Sequence, residues 1–154
     1  MSASAFVRIT RPHNAVVAGL TALVGYLIAT GTLTPPSLLL AAVVALITAG
    51  GNVINDICDV EIDRINRPER PIPAGEISLA GAGAYTAALF AGGIALAALT
   101  TTLCFAIALA NSIILIAYAT RLKGIPVLGN LAVAYLAASV FLFGGAFAGV
   151  GGLV

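Results

Sequence analysis

Three long stretches of this chain carry no Asp, Glu, Lys or Arg: residues 12 to 55, 77 to 120 and 124 to 154. A helix needs about 20 residues to cross the hydrocarbon core of a bilayer. The first two stretches therefore hold two spans and a turn each, and the third holds one span with a tail. Such runs exclude an ordinary soluble enzyme. Only 8% of the residues are charged, 60% are hydrophobic and the mean hydropathy is +1.10, whereas soluble domains are about one-quarter charged. The expected fold is an all-α, multi-pass transmembrane bundle of five spans, because helices satisfy their own backbone hydrogen bonds inside lipid.

The charges that remain are placed asymmetrically. All seven basic residues, Arg8, Arg11, Arg64, Arg67, Arg70, Arg121 and Lys123, fall before the first span, after the second or after the fourth. Those three places share one face, and the positive-inside rule makes it cytoplasmic, with the N-terminus and the acidic loop on that side. The first apolar run follows Arg8 and Arg11 as a signal peptide would. More spans follow it and no small-x-small cleavage site stands near Thr30, so it reads as a retained helix. Cys58 and Cys104 lack a paired metal-type spacing and suggest neither a disulfide nor a zinc site. Nothing in the charge pattern points to nucleic acid.

The expected spans run from about Asn14 to Thr30, from Ser37 past Gly50, and then over Leu79 to Leu99, Leu103 to Ala119 and Leu128 to Phe147. Pro12 sits where a missing amide donor does little harm, and Gly31 to Pro36 make a turn on the outer face. Pro68, Pro71, Pro73 and Gly75 end helical structure and make residues 64 to 78 a loop. Small residues, the Gly145 and Gly149 pair among them, are expected to permit close helix approach. No repeat and no second soluble domain is evident, so residues 1–154 read as a single transmembrane domain. The Gly-rich tail GGAFAGVGGLV has no charge and no polar stop, and the expectation is an N-terminal fragment of a longer protein.

All six acidic residues lie between Asp56 and Glu76. The densest run is N-D-I-C-D-V-E-I-D, residues 55 to 63. On a helix Asn55, Asp59 and Asp63 recur at i, i+4 and i+8 and share a face, with Asp56 on its edge. Stacked carboxylates repel unless a cation neutralises them, and hard oxygen ligands suit Mg²⁺, which joins protein carboxylates to substrate phosphate. The plainer alternative is a solvated helix end whose acids pair with Arg64 or Arg67. Against it stands the concentration of acids at one helix end, since an ionisable cluster there is a functional hypothesis by default. The arginines of R-I-N-R-P-E-R-P-I-P-A-G, residues 64 to 75, can offer planar donors to phosphate, and Arg121 and Lys123 after the fourth span can add positive charge to it. Each is equally accounted for as a topology signal.

The run NDxxDxxxD, followed by N-R-P and R-P-I-P-A-G, resembles the first aspartate-rich motif of the UbiA superfamily of intramembrane prenyltransferases. R-P-H-N at 11 to 14 resembles the entry to that family's first helix, and N-S-I-I-L-I-A-Y-A-T-R-L-K at 111 to 123, followed by P-V-L-G-N, resembles its fourth-helix exit. The likeness is greatest to the members that build archaeal ether lipid. It implies transfer of a geranylgeranyl group from geranylgeranyl diphosphate to geranylgeranylglyceryl phosphate inside the membrane. It also implies Mg²⁺ held by Asn55, Asp56, Asp59 and Asp63, with Asp59 and Asp63 catalytic. Arg11, Asn14, Arg67, Arg70, Tyr118 and Lys123 would then contact the isoprenoid diphosphate or border its pocket. The family has about nine spans and a second aspartate-rich motif, while this chain has five expected spans and no acid after Glu76. The 154 residues alone are therefore expected to be inactive without a C-terminal half or partner chain.

Other classes remain on the table. Family members that prenylate aromatic quinone precursors or haem are one alternative, and an inactive remnant is another. A transporter would place ionisable residues at mid-membrane in several helices, whereas the spans here hold only uncharged polar groups such as Asn111 and Ser112. A purely structural membrane protein leaves the carboxylate spacing unexplained.

Overall fold

A computed structural model describes residues 3–149. Among the described residues there are seven α-helices, two short 3-10 turns and no strand. The helices are α1 (Ala3–Ile9), α2 (Pro12–Thr30), α3 (Leu38–Cys58), α4 (Val60–Asn66), α5 (Leu79–Ala97), α6 (Thr102–Thr120) and α7 (Pro126–Ala148). Five segments are long and apolar enough to cross a membrane: α2, α3 with its leading 3-10 turn, α5, α6 and α7. The charge-free stretches thus divide as expected.

Local chemistry sets the helix ends. Pro12 and Pro126 open α2 and α7 at positions whose amides have no helical acceptor. Ser78 and Thr101 cap α5 and α6, their hydroxyls accepting from the amides of Gly81 at 3.0 Å and Cys104 at 3.2 Å. Gly31 closes α2 in the left-handed region at φ 73°, and its amide donates to the Leu27 carbonyl at 2.8 Å.

Helix α3 is the central element. It packs against α2, α5 and α6, and half of its most apolar window lies inside the bundle, against 22–28% for the other four spans. The lipid-facing helices are apolar all round, as a membrane solvent permits. One core cluster joins Leu40, Val43, Val44 and Ile47 of α3 to Ala22, Phe90, Ala108 and Phe143. A second lies toward the polar end of α3, where Val53 meets Ala5 and Ile9 of α1, Ile72 and Ile77 of the following loop, and Leu89.

The close approach of α2 and α7 depends on two glycines. A β-carbon on Gly144 would lie 2.3 Å from the Ala22 carbonyl oxygen, and one on Gly25 would lie 2.5 Å from that of Phe141. Small residues allow this backbone contact. The Gly145 and Gly149 pair expected to serve that purpose does not: nothing lies within 4 Å of a β-carbon at either position. The register of α7 turns Gly144 toward α2 and leaves Gly145 on open space. Cys58 and Cys104 are both free thiols, the first exposed and the second buried.

Two features were not legible as elements. Helix α1 covers part of the polar end of the bundle, with Ala5 and Ile9 buried and the Phe6 ring edge-on to Tyr85 at 5.0 Å. The acidic segment is two helices, because Asp59 sits at φ −95°, ψ 4° and separates α3 from α4.

Candidate functional site

The site grows from the end of α3. Its apolar run stops near Gly50, yet the helix continues to Cys58, carrying Asn52, Asn55 and Asp56 along its last turns. The break at Asp59 is mild. Asp59 still donates its amide to the Asn55 carbonyl at 3.0 Å, and Asp63 donates to Asp59 at 2.8 Å. The bridge-region backbone at Asp59 shifts side-chain directions without ending the helical path.

The shift sorts the carboxylates into two settings. Asp56 and Asp63, seven residues apart, are both buried and share Arg70, whose guanidinium donates to Asp63 at 2.5 Å and to Asp56 at 3.2 Å. Arg11 closes a second ion pair onto Asp56. Asp59 stands apart and pairs with Lys123, which follows α6. Buried carboxylates demand such partners, since an unpaired charge out of water is costly.

The loop after α4 delivers Arg70. Its prolines do not leave it slack. The Ala74 amide donates to the Arg70 carbonyl at 2.9 Å, and the amides of Glu76 and Ile77 donate to Pro71 at 2.9 and 3.2 Å. Ile72 and Ile77 are plugged into the second core cluster, and Gly75 takes the turn at φ 72°. Arg8 of α1 ties the loop down from above, pairing with Glu76 at 2.9 Å and donating to the Glu69 carbonyl at 3.3 Å. Arg11 is the one non-glycine residue at positive φ among the described residues, at 50°. That conformation is unfavourable for a side-chain-bearing residue and is held by its surroundings: the Arg11 carbonyl accepts from Asn14 at 2.9 Å, and its guanidinium is fixed on Asp56.

Beside Asn55 opens a cavity of about 250 Å³ between α3, α6 and α7. Its walls are mostly apolar, with Val43, Ile47, Leu136 and Phe143 among them, and its polar groups are Thr48, Asn52, Asn55, Asn111 and Tyr118. Asn52 also braces the N-terminal segment, donating to the Thr10 carbonyl at 2.8 Å. Asn111 donates to Ser139 at 2.9 Å, a hydrogen bond between α6 and α7.

The residues singled out by sequence therefore fall into distinct places. Arg11, Asp56, Asp63 and Arg70 form one network, and Asp59 and Lys123 form a second. Asn55 and Tyr118 line the cavity. Asn14 is exposed and lines a separate shallow groove between α2 and α7 with Val17, Thr21 and Phe141. Arg67 is exposed and makes no side-chain bond among the described residues. Arg64 pairs with Glu61 at 2.7 Å on the surface. Thr48 was missed and Asn52 was given no site role, although Thr48, Asn52 and Asn55 at i, i+4 and i+7 mark one polar stripe within an otherwise apolar helix.

As donors, these side chains fit a hard divalent cation: they are carboxylate and amide oxygens, and the buried Asn55 Oδ1 has no hydrogen-bond partner. No group of three or more His, Cys, Asp or Glu side chains converges among the described residues. The chain would thus supply part of a coordination shell. Mg²⁺ commonly completes its shell with water and substrate phosphate.

Residues 18–154 match the UbiA prenyltransferase family. The chain belongs to that family. It is an integral membrane protein by its multiple apolar helices and by the membrane family it matches. It is 83% identical over its full length to a digeranylgeranylglyceryl phosphate synthase of Methanoculleus marisnigri, of which it covers 55%. It is 58% identical over 97% of its length to the synthase of that name in Methanoregula boonei, covering 53% of it. The chain spans about half the length of the curated relatives it matches. A solved structure described as giving insights into digeranylgeranylglyceryl phosphate synthase in membranes superposes with a TM-score of 0.90 at 39% identity, over 93% of this chain and 52% of that one. A UbiA homolog from Archaeoglobus fulgidus bound to GPP and Mg²⁺ superposes with a TM-score of 0.84 at 26% identity, over 95% of this chain and 54% of that one.

Proposed function

We propose that this chain is the N-terminal half of an archaeal ether-lipid prenyltransferase, which moves a geranylgeranyl group from geranylgeranyl diphosphate to the free hydroxyl of geranylgeranylglyceryl phosphate. The observation that carries this reading is that the end of α3 carries both a carboxylate and cation network and, through Asn55, the wall of an apolar cavity. A molecule with a diphosphate head and a hydrocarbon tail fits that arrangement. The relatives named for this synthase, and the homolog holding GPP and Mg²⁺, support the reading.

In this mechanism Asn55 and Asp59 would hold the cation, with Asp63 and Asp56, which Arg70 and Arg11 already neutralise, in support. Bound Mg²⁺ would help neutralise the diphosphate as it departs. Lys123, Arg67 and Arg70 supply further positive charge around the leaving group, and charge preorganised in this way lowers the barrier to ionisation of the allylic carbon–oxygen bond. Arg11 fixes Asp56, and Asn14 lies in the first turn of α2. Val43, Ile47, Leu136 and Phe143 exclude water from the tail and from the developing cation, while Tyr118 lines the same cavity. As the allylic carbon–oxygen bond breaks and diphosphate departs, the acceptor oxygen bonds to the prenyl carbon and passes its proton to a motif carboxylate or to the diphosphate.

The cavity formed here is smaller than the ~300–1,000 Å³ of closed small-molecule sites, so a C-terminal half would supply the opposite wall and further diphosphate ligands. Orientation follows from the basic residues, which place the N-terminus and the acidic loop in the cytoplasm. The test is transfer of radiolabelled geranylgeranyl diphosphate to geranylgeranylglyceryl phosphate in membranes. This chain would be expressed alone and together with the remaining half of the Methanoculleus marisnigri relative. Activity is expected only in the combined sample, and only when Asp59 and Asp63 are intact. Equal activity from the chain alone overturns the half-site reading, and prenylation of an aromatic acceptor instead overturns the acceptor.

A further inference from the structure

The two ion-pair networks differ in what they can release. The Asp56 and Asp63 carboxylates are themselves buried, at 4% and 6% of the side chain, and Arg11 and Arg70 hold them, the packed loop fixing Arg70. Asp59 and Lys123 are each about one-quarter exposed, at 26% and 27% of the side chain, and their partnership rests on one flexible ammonium. The backbone beneath Lys123 is fixed: it lies in the 3-10 turn Leu122–Gly124, and the amide of Ile125 donates to the Leu122 carbonyl at 2.9 Å. A β-carbon at Gly129 would come within 2.9 Å of that same Leu122 oxygen, so the start of α7 is packed tightly on the turn. A long side chain on a rigid base can change partners without moving a helix.

We propose that Lys123 is a built-in counter-ion for Asp59 that competes with the divalent cation for this carboxylate. This rests on the reading that Asp59 serves a metal. A flexible ammonium on the same carboxylate is repelled by a divalent ion a few ångströms away. Metal bound at Asp59 therefore expels Lys123, and the expelled ammonium is stabilised once an anionic phosphate oxygen lies within its reach. Cation and diphosphate thus favour each other's binding, and the site resists filling with metal alone. The arrangement also explains why Lys stands here while Arg holds the buried pair: a compact charge on a flexible stem exchanges partners more readily than a planar fork.

Lys123 is the only lysine in the 154 residues, which makes the exchange directly observable. The chain would be placed in lipid nanodiscs and Mn²⁺ binding followed by electron paramagnetic resonance. Lys123→Met is expected to bind Mn²⁺ about tenfold more tightly than wild type, within the usual range of coupling between sites. Arg121→Met removes the same charge two residues away, from a side chain with no partner among the described residues, and is expected to change affinity less than about twofold. In parallel, acetic anhydride labelling of Lys123, read by mass spectrometry, should accelerate several-fold as Mg²⁺ is added. In Asp59→Asn it should be fast from the outset and indifferent to Mg²⁺. Unchanged affinity in Lys123→Met, equal tightening in Arg121→Met, or labelling of wild type that ignores Mg²⁺ each overturns the proposal. If no Mn²⁺ binds to wild type or Lys123→Met, Asp59 serves no metal in this chain and the proposal falls with it. Absence of transfer to geranylgeranylglyceryl phosphate in the sample that combines both halves, alongside the expected Mn²⁺ and labelling results, would instead overturn the acceptor assignment and leave the counter-ion role standing.

Discussion

Asp56 and Asp59 are one helical turn apart and chemically identical, yet they occupy opposite regimes. Asp56 is 3% exposed and lies between two arginines, whereas the Asp59 side chain is 26% exposed and has one lysine. The first belongs to a structural clamp joining the N-terminal segment, the end of α3 and the loop after α4. The second joins only α3 to the turn after α6. Burial and the shape of the partner, more than the acid itself, decide which carboxylate holds the fold and which is free to change its ligand.

The strongest way to break this contrast is to remove Arg70. Arg70→Ala leaves Asp63 buried with no cation, while Asp56 keeps Arg11. Removing one member of a buried pair costs about 3–5 kcal/mol, and thermal unfolding in detergent should show a loss of that order. Because the cost arises from an orphaned charge, Asp63→Asn in the Arg70→Ala background should recover much of it. Asp56→Asn should recover little. Equal recovery by the two substitutions would mean that the clamp is not organised as the ion pairs indicate.

A control of comparable scale lies away from any charge. Gly144→Ala drives a β-carbon to within 2.3 Å of the Ala22 carbonyl, a backbone atom that cannot swing aside. Overpacking of this kind costs about 1–3 kcal/mol. Gly145→Ala, which meets nothing within 4 Å, should be neutral or slightly stabilising. The pair separates packing defects from electrostatic ones when the clamp variants are measured.

What could be read from the sequence divides along the same line. Five spans and their boundaries were legible because the absence of charge over tens of residues is a bulk property that lipid imposes. The acidic motif was legible as a cluster, and Arg11, Arg70 and Lys123 were named beside it. Which cation meets which acid was not legible. That depends on the backbone at Asp59, on the left-handed conformation of Arg11 and on how Ile72 and Ile77 seat the loop, all products of tertiary packing. The tight glycine was displaced by one position for a similar reason, since a helix facing lipid on most of its surface gives no hydrophobic stripe to fix its rotation. Helix α1 was missed because seven residues cannot display a helical period, and its stability comes from Ala5 and Ile9 docking on the bundle.

A smaller effect sharpens the comparison from the other side. If Asp59 and Lys123 form an exchangeable pair, Lys123→Met should alter stability by less than about 1 kcal/mol, the range of ion pairs that solvent partly screens. Its thermal transition would stay near wild type while Arg70→Ala falls. A loss as large as that of Arg70→Ala would make Lys123 a second clamp residue.

The smallest expected effect concerns Arg8 and Glu76, which are 51% and 32% exposed. This pair lies at the outer end of the same series, above the loop that carries Arg70. Solvent and salt screen it, so its direct contribution is about 0–0.5 kcal/mol. The loop is held mainly by Ile72, Ile77 and its own backbone hydrogen bonds, none of which Arg8 supplies. Arg8→Gln should therefore leave the thermal transition nearly unchanged and retain hydrogen-exchange protection at the Ala74 and Ile77 amides. If that protection collapses, the loop depends on the surface pair, and the boundary between clamp and surface must be moved outward to include Arg8.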